Sequence, residues 1–232
     1  AVRVIEVAGA EVRALRVTYV GELGWELHVP LGATGAVFDA LMQAGRPFGL
    51  APAGYRAIES LRLEKGYRAW GADITPNDSP FHAGLGWAVK LRGNEDFLGR
   101  AASEALAARP LAKMLAGFTT VREDVVLAGR ETILRDGQFA GYLTSGGYGY
   151  TVGRPIGYGY VRNAAGVDGD YLRAGRYQLV VASEVVAARI VLPDGRLLAA
   201  YPAGVAPDVF ARLTPIGFEH GLPLSTRPLR FD

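Results

Sequence analysis

From Leu111 onward the sequence consists of short apolar runs separated by turn residues, and this pattern most restricts the fold. Arg135-Asp-Gly-Gln138 and Pro193-Asp-Gly-Arg196 each contain the Asp-Gly pair that two-residue β-hairpin turns favour. The glycine-rich run Thr144–Thr151 lacks the lysine of a phosphate-binding loop and is interpreted as a turn. Many short strands with frequent turns predict a small antiparallel β-barrel or sandwich from Leu111 to about Leu198.

The first half of the chain shows a different pattern, with strands followed by helices. Strands are expected at Val2–Val7, Val12–Val20, Trp25–Val29 and Gly86–Leu91, and helices at Thr34–Ala44, Pro52–Lys65 and Asp96–Ala108. Residues 66–84 form a long irregular segment, which compact domains seldom keep without a use for it. The expected boundary between the two halves is Arg109-Pro110.

Composition excludes several classes of site. The 232 residues include no cysteine, so disulfides, thiolate metal sites and a cysteine nucleophile are ruled out. His28, His82 and His220 are well separated in sequence, so no histidine metal centre is indicated. The net charge of +2 points to neither nucleic acid nor an anionic membrane. Without a membrane-length apolar run or a signal-peptide pattern, a cytoplasmic protein is expected.

A β-hairpin is predicted near the N-terminus, where residues 16–30 alternate in polarity. If Gly21–Gly24 forms a four-residue turn, Tyr19 pairs with Glu26 across the two strands. A carboxylate beside a phenol is suited to the edge of a flat, nitrogen-rich heterocycle, because it accepts two parallel hydrogen bonds. From the spacing alone, a solvent-facing Glu26 next to a half-buried Tyr19 is the simpler interpretation.

Arg62 falls on an apolar stripe of the predicted helix Pro52–Lys65 that begins with Tyr55. An arginine on such a stripe needs an anionic partner. Glu59, three residues earlier, is one candidate and is favoured by the spacing; a ligand carboxylate is the other.

The irregular segment after this helix contains further candidates. Trp70 is placed to stack on an aromatic ligand, although tryptophan in a loop often covers the edge of a core. Asp73 and Asp78 are chemically able to act as general acid or base. Both also lie in ordinary turn sequences, Asp-Ile-Thr-Pro and Asn-Asp-Ser-Pro, and the turn interpretation is favoured for each.

Three motifs in order resemble one known family. They are YVGELGWEL (19–27), LRLEKGYRAWGADITPNDSPFHAGLGWAVKL (61–91) and TSGGYGYTVGRPIGYGYV (144–161). Together they resemble the folate domain of dimethylglycine and sarcosine dehydrogenases, which share it with the aminomethyltransferase (T-protein) of the glycine cleavage system. The resemblance covers about residues 1–198.

The resemblance implies an α+β fold: a partial aminomethyltransferase folate-binding domain over residues 1–109, then a small antiparallel β-barrel over residues 110–200. Residues 201–232 stay unassigned. The resemblance also implies tetrahydrofolate as cofactor, with Tyr19 and Glu26 as pterin contacts. It places Arg62 near the glutamyl tail and gives Trp70 as a weaker contact. In such enzymes folate captures a methylene unit from an iminium intermediate, and a nearby aspartate assists.

The chain also departs from the family pattern. The family's aspartate lies upstream of the tyrosine–glutamate motif, in a segment missing here, and a flavin domain is missing too. The catalytic residue is therefore not assigned, and neither Asp73 nor Asp78 matches its position. Three interpretations stay open: a tetrahydrofolate-binding portion of such an enzyme, a non-catalytic folate-binding module, and a subunit or fragment that needs a partner chain.

Overall fold

The computed structural model describes residues 2–21 and 23–191. Nine strands lie within them, at β1 Val2–Val7, β2 Ala10–Leu15, β3 Glu26–His28, β4 Leu111–Thr120, β5 Thr132–Arg135, β6 Gln138–Gly149, β7 Arg154–Val167, β8 Tyr177–Val181 and β9 Glu184–Val191. The same residues form four α-helices, at α1 Thr34–Gly45, α2 Tyr55–Glu64, α3 Arg100–Ala107 and α4 Gly169–Ala174.

Six strands close into an antiparallel barrel in the order β4-β7-β6-β5-β8-β9. Alternate side chains of these strands point inward, and Phe118, Ile133, Leu143 and Leu179 are fully buried there. Closure pairs every strand on both sides and leaves the barrel without a free edge. The predicted α+β fold with a small antiparallel barrel is confirmed.

The Asp-Gly turn between β5 and β6 forms as predicted. Asp136 and Gly137 both adopt positive φ, +53° and +78°, as a two-residue hairpin turn requires. The interpretation of Thr144–Thr151 as a turn is wrong, because most of this run is the end of β6, and the chain turns only at residues 150–153. The second predicted Asp-Gly turn, Pro193–Arg196, lies outside the described residues.

The predicted pairing of Tyr19 with Glu26 is wrong. The three-stranded sheet has the order β1-β2-β3, and β3 pairs Glu26 with Leu15 and His28 with Arg13. β2 ends at Leu15, so Tyr19 belongs to an irregular segment that leaves the sheet.

Local hydrogen bonds explain why this segment leaves the sheet. Arg16 Nη1 donates to the Gly24 carbonyl at 2.8 Å, and the Val20 amide donates to the Thr18 hydroxyl at 3.2 Å. Such side-chain bonds to the backbone compete with strand pairing. Gly21 adds a left-handed turn with φ +74°, where the Lys65 side chain leaves no room for a Cβ.

The helix expected at Thr34–Ala44 is confirmed as α1, but three other expectations shift or fail. α2 begins at Tyr55, not at Pro52, and α3 begins at Arg100, not at Asp96. The strand expected at Gly86–Leu91 is wrong: Gly86–Ala88 is a 3₁₀ turn. A short apolar run has no periodicity that separates a strand from a turn or helix, so this error follows from its length.

Helix α2 packs on the outside of the barrel. Leu63 is 1% exposed and belongs to a cluster with Leu115, Ile156 and Tyr158. The Tyr158 hydroxyl also donates to the Leu63 carbonyl at 3.2 Å, and the Ser60 hydroxyl donates to the Tyr148 carbonyl at 2.6 Å. The predicted stripe is therefore buried only near its C-terminal end, because Tyr55 at its start is 75% exposed and Arg62 is 1% exposed.

We expect Leu63→Ala to lower the free energy of unfolding by about 2–5 kcal/mol, because it leaves a cavity between α2 and the barrel. The matched control is Leu98→Ala, since Leu98 is fully exposed and its truncation removes no buried contact. Urea unfolding of both variants measures the difference. Equal effects at the two positions would contradict this packing.

Candidate functional site

The irregular segment 66–84 is organised around the buried carboxylate of Asp73, which is 1% exposed. Its Oδ2 accepts from Arg62 Nη1 at 2.7 Å and from the Ala69 amide at 2.9 Å. Its Oδ1 accepts from the Ser145 hydroxyl at 2.7 Å and from the Thr144 hydroxyl. These residues are called the Asp73 cluster below; they join α2, the segment after it and β6.

Arg62 lies inside this cluster and is 1% exposed. Its Nε and Nη2 donate to Glu59 Oε2 at 3.0 and 2.8 Å, which is the partner that the helical spacing favours. Its Nη1 donates to Asp73 and to the Tyr67 carbonyl, the latter at 3.1 Å. Burial lowers the pKa of Arg62, but Asp73 and Glu59 outweigh this and raise it above its ordinary value, so the guanidinium stays charged.

A ligand carboxylate would therefore have to displace Glu59 or Asp73 in order to reach the Arg62 guanidinium. The geometry gives Arg62 a structural role. Its assignment to the glutamyl tail of folate stays a prediction, and it now requires that one of these two carboxylates moves.

Tyr19 is fastened to the segment after α2, not to a strand. Its hydroxyl donates to the Arg68 carbonyl at 3.0 Å, and its ring stacks on Tyr67 with centroids 5.9 Å apart and planes at 21°. Burial raises the pKa of the Tyr19 phenol, and the charge of Arg62 opposes this shift. The side chain is still 37% exposed, so part of it is open to a ligand.

Glu26 and Trp70 are both open to solvent. The Glu26 carboxylate lies 3.9 Å from His28 Nε2, and both side chains are 59% exposed. Register places Glu26, Leu15 and Arg13 on one face of the sheet, opposite the face that buries Val12 and Ala14. Trp70 is 73% exposed at the start of a short turn that brings it back beside Ile74.

Asp78 joins the same segment to the barrel. It accepts from Lys113 on β4 and, at 2.8 Å, from the Thr75 amide. Burial alone would raise the pKa of Asp78, but the hydrogen bonds from Lys113 and Thr75 prevail and lower it. Both Asp73 and Asp78 are thus engaged as hydrogen-bond acceptors within the fold, which supports the structural interpretation of each over general acid–base work.

Tyr67 is a neighbour of Tyr19 that the sequence pattern did not single out. It follows Gly66, whose left-handed conformation (φ +68°) ends α2 and redirects the chain. The sequence indicates that Gly66 ends the helix. Sequence periodicity does not predict which side chain then lies against Tyr19.

The described residues show neither a metal site nor a membrane-spanning helix. No group of three or more His, Asp and Glu side chains there is arranged to hold a metal ion. None of the helices in these ranges has the length and apolar character needed to cross a membrane.

Two family models match this chain, one before the barrel and one over the barrel. Residues 1–93 match the family model described as the GCVT N-terminal domain. Residues 113–194 match the glycine cleavage T-protein C-terminal barrel domain. The second match begins two residues into β4 and includes the other five barrel strands.

The similar proteins include amine dehydrogenases and aminomethyltransferases. Mouse (Mus musculus) mitochondrial sarcosine dehydrogenase is 45% identical over 192 residues, covering 82% of this chain and 21% of the relative. Human mitochondrial dimethylglycine dehydrogenase is 38% identical, covering 68% of this chain and 18% of the relative. The aminomethyltransferase of Halothermothrix orenii is 38% identical, and the match covers 77% of this chain and 49% of the relative. The chain thus spans about a fifth of the dehydrogenases and about half of the aminomethyltransferase.

A solved structure shows the same fold. The glycine cleavage system aminomethyltransferase T from Bartonella henselae superposes with a TM-score of 0.64 at 29% identity. The match covers 76% of this chain and 47% of that one.

We expect Asp73→Ala to destabilise the protein by about 3–5 kcal/mol, because it leaves the Arg62 charge and two hydroxyls short of an acceptor in a buried site. Asp170→Ala is the matched control, since its ion pair with Arg173 is exposed and its loss costs less than about 1 kcal/mol. Denaturant unfolding gives both values. If the two variants behaved alike, the Asp73 cluster would not hold the segment to the barrel.

Proposed function

Because this chain belongs to the glycine cleavage T-protein family, we propose that it binds tetrahydrofolate and supplies the pterin-contacting side of a one-carbon-transfer site. Its relatives act on sarcosine and dimethylglycine or are named aminomethyltransferases. The proposed reaction class is therefore transfer of a methylene unit to tetrahydrofolate from an iminium or aminomethyl donor, whose carbon is already at the oxidation level of formaldehyde.

The observation that supports this proposal is the state of Glu26. Its carboxylate stands on an open sheet face, is 59% exposed, and has His28 Nε2 no nearer than 3.9 Å. It therefore keeps acceptor capacity for the two adjacent N–H donors of a pterin edge, in the bidentate arrangement that a carboxylate makes with guanidinium. The residues present fit the pterin at this point.

Tyr19 fits the same ligand through its ring. Its hydroxyl proton is already donated to the Arg68 carbonyl, so the phenol offers a pterin its aromatic face and an acceptor oxygen. Trp70, largely exposed, is available to stack on an aromatic part of the ligand. Arg62 takes part only if Glu59 or Asp73 releases its guanidinium.

The general acid or base of the reaction is proposed to come from outside the 232 residues. Asp73 and Asp78 are both engaged as hydrogen-bond acceptors within the fold. The chain then binds and orients folate, while a further segment or a partner chain completes the catalytic side.

We expect Glu26→Ala to abolish binding of 5-formyl-tetrahydrofolate while the fold stays intact, because the pterin loses its bidentate acceptor. Glu11→Ala is the control: it lies on the same sheet face, four residues along β2 from Leu15, the partner of Glu26. Calorimetric titration with circular dichroism tests both variants. Unchanged titration of Glu26→Ala would falsify the assignment.

A second candidate function is that of a subunit that needs a partner chain. Most of the large exposed apolar side chains in the described residues lie before residue 99, among them Val4, Phe38, Phe48 and Leu98. A contiguous exposed apolar patch marks a contact with another protein surface, and this candidate requires these side chains to form such a patch.

If a partner is needed, the protein alone will self-associate and will bind folate weakly or not at all. Sedimentation velocity measures the first property and titration the second. A monodisperse monomer that binds 5-formyl-tetrahydrofolate would reject this candidate and favour an independent folate-binding module.

A further inference from the structure

Tyr19 is held by two consecutive residues of the segment after α2. Its ring stacks on that of Tyr67, with centroids 5.9 Å apart and planes 21° from parallel. Its hydroxyl donates to the carbonyl of Arg68 at 3.0 Å. Ring plane and hydroxyl direction are both fixed by these contacts, and 5.9 Å lies within the usual range for an aromatic pair.

The backbone of Tyr67 is itself rigidly held. Its amide donates to the Arg62 carbonyl at 2.9 Å, and its carbonyl accepts from Arg62 Nη1 at 3.1 Å. Arg62 is 1% exposed and donates a hydrogen bond to Asp73 in the Asp73 cluster. Arg68, the next residue, donates from Nη1 to the Gly66 carbonyl at 2.7 Å and from Nε to the Ala83 carbonyl at 3.0 Å. The backbone of Tyr67 is therefore held in place by buried groups, and this sets where its ring lies beside Tyr19.

We propose that Tyr67 is a positioning residue for the folate ligand. By stacking on one face of the Tyr19 ring, it fixes that ring so that the pterin lies against the other face. Tyr67 acts through Tyr19 and does not touch the ligand. This inference rests on the proposed function, since it specifies how that same site orients its heterocycle.

The variants Tyr67→Leu and Tyr67→Phe separate positioning from packing. Leucine fills space but provides no aromatic face, whereas phenylalanine keeps the ring and removes only the hydroxyl. Titrating 5-formyl-tetrahydrofolate into the full chain, we expect about three- to tenfold weaker binding for Tyr67→Leu, the range that loss of an aromatic pair gives. Tyr67→Phe is expected to bind as the unaltered protein does.

A ligand-free measurement keeps the test independent of stability. The NMR ring resonances of Tyr19 should move in Tyr67→Leu, because the ring current of Tyr67 is lost, and should stay in place in Tyr67→Phe. Thermal unfolding of each variant confirms that it is folded at the titration temperature.

The outcomes separate this inference from the proposed function. If Glu26→Ala loses binding but Tyr67→Leu binds normally, only the role of Tyr67 is overturned. Equal weakening in the Phe and Leu variants, or Tyr19 resonances that do not move in Tyr67→Leu, also overturns it. If the unaltered protein binds no folate, the proposed function fails and this inference fails with it.

Discussion

The buried ion pair between Asp73 and Arg62 is the interaction on which the rest of the arrangement depends. Charges this deeply buried are stable only when each is paired and its remaining hydrogen-bonding capacity is met. Asp73 meets this condition with groups from three places: α2, its own segment and β6. Because those groups are distant in sequence, satisfying one carboxylate fixes where the helix and the segment lie on the barrel.

The barrel provides a rigid platform for this cluster. Its six strands pair on both sides, so their positions are set before any ligand is considered. Tyr160 on β7 donates its hydroxyl to the Asp73 carbonyl at 2.8 Å, and Glu64 on α2 accepts from the Thr151 amide at 2.7 Å. These polar contacts and the apolar cluster around Leu63 together hold α2 and the segment after it on the outside of the barrel. The segment that carries Tyr67 is therefore held by both kinds of contact.

The sequence predicted correctly those elements that are determined by interactions between residues close together in the chain. The Asp-Gly turn at Asp136 and helix α1 depend on conformational preference and periodicity, and both were confirmed. The Tyr19–Glu26 pairing failed because side-chain hydrogen bonds at Arg16 and Thr18 draw the chain out of the sheet, an effect that strand alternation does not show. The ion pair of Arg62 with Glu59 was predictable from helical spacing. Its bond to Asp73 was not, since a contact eleven residues away needs the fold.

Tyr19 and Glu26 are fastened to different parts of the molecule, the first to the segment beside the barrel and the second to the three-stranded sheet. A ligand can contact both residues at once only in molecules in which the distance between the sheet and the barrel matches the ligand. Its apparent dissociation constant therefore equals the intrinsic one divided by the fraction of molecules in that arrangement. Any neighbouring surface that holds the sheet in place on the barrel would tighten the proposed folate binding without touching the ligand.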